Sequence, residues 1–108
     1  MGVEDTNTVD FIGTDRTSGE TVLTLVDALG WSEPHEHLVL LQEKLNTYLR
    51  FIESGEIYEQ YPPAQGRDMA IEIAAKHSFP DCAKKFFEYA EDRTKNAGVR
   101  LCFKHIDA

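Results

Sequence analysis

The sequence predicts an α+β two-layer sandwich: a four-stranded sheet with two helices on one face, in the order ββαβαβ. Three observations predict it. Two β-rich runs near the N-terminus flank a short Gly-containing loop, and two later runs alternate apolar and polar residues with period two. Interleaved with these, two segments repeat apolar residues every three or four positions, each with a single stripe to bury.

Residues 1–8 are small, polar and acidic and read as a flexible tail ahead of one domain over residues 9–108. Residues 9–14 and 20–27 are the arms of a hairpin around the polar loop 15–19, which ends in Gly19. Ser32 is the expected N-cap of the first helix. Glu33 and Pro34 follow in its first turn, where proline needs no amide partner and a carboxylate suits the helix dipole. Leu38, Leu41, Leu45, Leu49 and Ile52 form the stripe, running to about Ser54 with Gly55 just past the end. Residues 56–61 add one more turn before Pro62 and Pro63 forbid continuation.

Met69, Ile71, Ile73 and Ala75 mark a third strand. Ser78 repeats the capping logic, with Pro80 and Asp81 behind it. Phe79, Cys82, Phe86, Ala90 and Ala97 then share one face of a second helix, which Gly98 closes. Val99, Leu101 and Phe103 alternate through the last strand. The expected helix-facing side of the sheet is Phe11, Leu23, Leu25, Ile71, Ile73, Leu101 and Phe103. The outer side is Ile12, Val22, Thr24, Val26, Ala70, Glu72, Ala74, Lys76, Cys102 and Lys104. That outer side is only half polar, which suits a covered face.

The chain has 108 residues with 11 Lys and Arg against 19 Asp and Glu, a net charge of −8. Such a surface repels phosphate backbones, so nucleic-acid binding is not expected. No apolar run reaches the roughly 18 residues that span a bilayer, and no signal-peptide core is seen, so no membrane partner is expected. With two cysteines, Cys82 and Cys102, a disulfide framework is out of reach and the cytoplasm is the expected location. Residues 1–6, Met-Gly-Val-Glu-Asp-Thr, loosely match a myristoylation pattern. Glu4, Asp5 and Asp10 put acidic charge where an anchored chain needs a basic patch, so the match reads as chance.

The four histidines form no metal motif. His35 and His37 are two apart on a helix and point to nearly opposite sides. Cys82 reads as a small core residue, and Cys102 lies across the pleat from His105, so no nucleophile–base pair is formed. No phosphate loop, nucleophile elbow or dinucleotide fingerprint occurs, and neither a cofactor, a metal nor a catalytic set is expected. Two side-chain sets on the first helix stand out. Leu40, Lys44, Thr47 and Phe51 share a ridge apart from the core stripe, with two large apolar residues at its ends. A second copy, a partner or the chain's own tail could cover it. Gln42, Asn46 and Glu53 flank the core stripe, and Tyr58 or Tyr61 after the helix could join them to face a ligand.

Residues 31–62, together with the preceding V-D-F-I-G and V-L-T-L-V-D, resemble a family of small bacterial proteins known only as a domain of unknown function. The motif H-L-x-L-L-Q-x-K-x-N-x-Y spans His37 to Tyr48 and F-I-E-S-G-E-I spans Phe51 to Ile57. The resemblance covers the chain from Val9 to about Phe103. It implies a bacterial, cytosolic protein and supplies no activity or site residue. The expectation is therefore a non-catalytic association module, either a homodimer or an adaptor or immunity-like inhibitor of a larger protein partner, acting through Leu40, Lys44, Thr47 and Phe51. The second expectation is a small-molecule binder or modest enzyme using Gln42, Asn46, Glu53 and a tyrosine in a pocket between the long helix and residues 56–61.

Overall fold

The structure, a computed structural model, describes residues 5–106. Strands β1 (Phe11–Thr14), β2 (Thr21–Asp27), β3 (Met69–Ala75) and β4 (Val99–His105) form one sheet in the order β1-β2-β3-β4. The first pair is an antiparallel hairpin, and the other two pairs are parallel. Helix α1 (Pro34–Glu53), a short helix α2 (Glu56–Gln60) and a 3-10 turn at Pro62–Ala64 link β2 to β3. A second 3-10 turn, Asp81–Ala83, and helix α3 (Lys84–Asn96) link β3 to β4. Both crossovers step the same way across the sheet, and crossovers of one hand then set both long helices on one face. The fold is the α+β sandwich that the periodicities imply.

Leu23, Leu25, Ile71 and Ile73 of the sheet pack with Leu41, Leu45, Tyr48 and Leu49 of α1, Ile57 of α2 and Ala90 of α3. Each large aliphatic side chain so buried contributes about 2 kcal/mol by removal from water. The hairpin loop is held by the Asp15 carboxylate, which accepts the Thr17 and Ser18 amides at 2.8 and 3.3 Å. Gly55 takes φ 84° just past α1, a left-handed conformation that ends the helix and turns the chain into α2.

Four local expectations need correction. The register pairs Ile12 with Leu23 and Phe11 with Thr24, so Ile12 faces the helices while Phe11 lies on the outer face, 54% exposed. A strand that begins two residues later than expected, at Phe11, leaves its alternation to be set by pairing with β2. Helix α1 begins at Pro34 with Glu33 rather than Ser32 as N-cap, and no side chain caps it. Ser78 does not cap the last helix either: the chain runs on to the 3-10 turn, and Ala83 occupies the N-cap position. A 3-10 turn advances about 120° per residue, not 100°, and that phase change buries Ala83 and leaves Cys82 exposed. Cys82 is thus not a core residue.

On the outer face Val22, Thr24, Val26 and Glu72 are half-buried. Ala70, between Val22 and Arg100 in register, is fully buried. Arg100 reaches Glu20 through two hydrogen bonds of 3.0 and 2.7 Å. The Arg100 hydrogen bonds hold the Glu20 carboxyl below the usual carboxylate range.

Candidate functional site

The ridge of α1 is engaged by the chain's own N-terminal segment. Lys44 is fully buried, and its Nζ donates to Asp10 Oδ1 at 2.8 Å and to the Asp5 carbonyl at 2.7 Å. Thr47 Oγ1 donates to the Thr6 carbonyl. Residues 5–8, which the sequence assigns to a tail, lie along the helix at these contacts. Residues 1–4, with the myristoylation-like Gly2, lie outside the described residues. Asp10 also accepts the Val26 amide through Oδ2 at 3.0 Å, and its own amide donates to the Tyr48 hydroxyl at 2.8 Å. That hydroxyl donates to the Thr24 carbonyl at 2.7 Å. Side chains of Asp10 and Tyr48 thereby extend the β1–β2 ladder where the strand itself peels away. Burial raises the Tyr48 phenol well above its ordinary pKa, so it stays a donor.

The four ridge residues have separate surroundings. Leu40 is half-buried beside Leu29, Gly30 and His37. Lys44 is inside the fold. Thr47 and Phe51 form one wall of an open cleft of about 640 Å³, whose other walls are residues 7–12 and Ser54, Glu56 and Gln60. The cleft lies between the outer edge of β1 and the junction of α1 with α2. It occupies the place where a pocket between the long helix and residues 56–61 is expected, but with a different lining. Gln42 is exposed, Asn46 borders a smaller hollow with Thr6, Asn7 and Arg50, and Glu53 pairs with Arg93 of α3 at 3.3 Å. Tyr61 shares a 2.8 Å hydrogen bond with the Thr14 hydroxyl, and Tyr58 stands at the surface of α2. The polar row therefore does not converge on one ligand position.

A second buried polar group joins the carboxyl end of β2 to the start of α1. His37 Nε2 lies 2.8 and 2.7 Å from the two Asp27 oxygens, and Nδ1 lies 3.0 Å from the Gly30 carbonyl. A carbonyl can only accept, so Nδ1 carries hydrogen, and one further proton is shared between Nε2 and the carboxylate. Burial raises the Asp27 pKa, and the His37 hydrogen bond opposes it. With both ring nitrogens occupied, His37 serves as a clamp and offers no free base. Trp31 stacks on its ring at 3.7 Å between centroids. From there aromatic contacts continue through Phe79 to Phe87 and Phe103, all along the carboxyl end of the sheet. Cys102 donates toward the Ile71 carbonyl, and burial raises its thiol pKa, which suppresses the nucleophilic thiolate.

The sequence signals for both buried pairs exist but are weak in isolation. Asp27 continues the inward alternation of Leu23 and Leu25, and Lys44 lies between Leu41 and Tyr48 on the packed side of α1. A charge in an inward position calls for a counter-charge. Neither partner follows from spacing alone.

No curated protein and no solved structure matches the chain. A family model described as a family of unknown function, DUF6572, matches residues 1–107. The match takes in both buried pairs, the open cleft and the aromatic row, and the chain belongs to that family.

Proposed function

We propose that the protein is a non-catalytic association module whose contact surface is the outer edge of β1 with the adjoining cleft. A second copy or a larger protein partner docks there, in the bacterial cytoplasm. The family resemblance and the sparing use of cysteine support that setting. The observation that carries the reading is Phe11, 54% exposed on a four-residue edge strand beside a cleft of about 640 Å³. An edge strand offers main-chain hydrogen bonds to an incoming segment, and an adjacent aromatic supplies the anchor that interfaces favour. Thr47 and Phe51 belong to this surface, Lys44 supports it from within, and Leu40 lies apart from it, beside Leu29 and Gly30.

Light scattering over a concentration range tests the reading, with wild type beside Phe11→Glu. A wild-type dimer that the substitution reduces to monomer, with an unchanged melting temperature, supports self-association at this edge. A dimer that survives the substitution removes the edge from the interface. For a wild-type monomer, capture from bacterial lysate that Phe11→Glu abolishes supports a larger partner, and capture unaffected by it counts against the proposal.

A further inference from the structure

A second hollow, of about 310 Å³, lies away from the β1 edge, at the carboxyl ends of β3 and β4. Its floor and one wall are Ala75, Phe79 and Phe103, and its rim carries His77, Ser78 and Lys104. Phe79 and Phe103 meet edge-to-face at 5.6 Å, and Phe87 packs behind both at 4.3 and 4.5 Å. Phe79 and Phe103 are only half-buried. The rings are therefore held in place by one another while part of their surface still faces the hollow. Edge-to-face packing leaves ring surfaces that accept a further flat ring.

The rim differs in charge from the molecule as a whole. The chain carries −8 overall, yet the polar side chains that line this hollow are His77, Ser78, Lys104 and His105, with no carboxylate among the described lining residues. Asp27, buried at the end of β2, is within electrostatic reach of His77. The loop that carries His77 and Ser78 is tied to the sheet on both sides. The Lys76 amide donates to the Asp27 carbonyl at 2.9 Å, and His105 Nε2 bonds the Lys76 carbonyl at 2.9 Å. Fixed aromatic walls with a few convergent polar groups at the mouth make a ligand site, and the volume suits a small molecule.

We propose that this hollow binds a small planar aromatic anion, its ring against Phe79 and Phe103 and its charge at Lys104, His77 and the Ser78 hydroxyl. The proposal is independent of association at the β1 edge. It is tested by following backbone amide resonances of the full chain during titration with 1-naphthoate, with 1-naphthamide and acetate as comparison probes. The expected result is saturable shifts confined to residues 75–79 and 103–105 at millimolar or lower concentration. Naphthamide, which has the ring without the charge, and acetate, which has the charge without the ring, should each bind about tenfold more weakly. Lys104→Glu, a change at an exposed position, should weaken naphthoate by about tenfold with no change in melting temperature. Phe103→Leu should weaken it through the ring contact. Shifts centred elsewhere, equal binding of the amide, or full affinity in Lys104→Glu each overturns the proposal.

Discussion

Two buried polar pairs, Lys44 with Asp10 and His37 with Asp27, carry most of what is unusual at the level of single residues. Lys44 and Asp10 are both inside the fold, and removing one partner of such a pair strips the other of its counter-charge. Lys44→Met is expected to lower unfolding free energy by about 3–5 kcal/mol in urea titration, with the Asp10→Asn/Lys44→Met double variant recovering much of the loss. Asp27 behaves differently because burial raises its pKa above the ordinary 3.8. A group whose folded-state pKa is raised binds its proton more tightly in the native state. Its contribution to stability is therefore complete below the unfolded value and is lost as pH rises through the folded value. Asp27→Asn supplies an amide N–H that can donate to His37 Nε2 and removes this titration. The stability of wild type relative to Asp27→Asn should thus decline as pH rises from about 4 toward neutrality, measured by chemical denaturation at each pH. A flat difference would show that burial at Asp27 is fully offset by His37.

Among the elements, α1 has two working sides and a third that points to water. Its centre packs on β2 and β3 through Leu41, Leu45 and Tyr48, while Lys44 and Thr47 receive residues 5–10. Leu40 and Phe51 are half-buried at the two ends of that second side and pack on the core. Charge introduced at both positions should therefore act on folding before it acts on any partner. Leu40→Glu/Phe51→Glu is expected to lower the melting temperature by several degrees, read by circular dichroism, since two half-buried apolar groups are lost and carboxylates are partly desolvated. An unchanged melting temperature would mean that the N-terminal segment does not seal the ridge in solution. At the other end of the sheet, the turn into α3 shows how one tight turn reassigns a helix face. The 3-10 geometry at Asp81–Ala83 exchanges Cys82 for Ala83 as the inward residue.

For the molecule as a whole, the open cleft and the aromatic hollow lie at separate places on the sheet. The cleft borders the outer edge of β1, the antiparallel strand, and the hollow borders the ends of the parallel strands β3 and β4. Under the two proposals, the first surface takes a chain and the second a small ligand. Net charge bears on the first. Two copies each carrying −8 repel one another, so association at the β1 edge between copies should tighten as salt is raised. Contact with a basic partner should loosen under the same change. Scattering and capture repeated at low and high ionic strength separate the two occupants.

Periodicity by itself determined the architecture, because alternation and the three-four repeat of apolar residues report which side of each element leaves water. Gly55 as helix terminator and the inward Leu23, Leu25, Ile71 and Ile73 are all legible that way. Tertiary structure alone decided the strand order, the side of β1 that faces the helices, and the partners of the buried charges. Pairing register turns Ile12 inward and Phe11 outward, and a four-residue strand carries too few alternating positions to declare its own face. Lys44 meets Asp5 and Asp10 across more than thirty positions of chain, and His37 meets Asp27 across ten. A hydrogen bond or ion pair depends on distance in space, which local sequence spacing does not encode once the chain has turned back on itself.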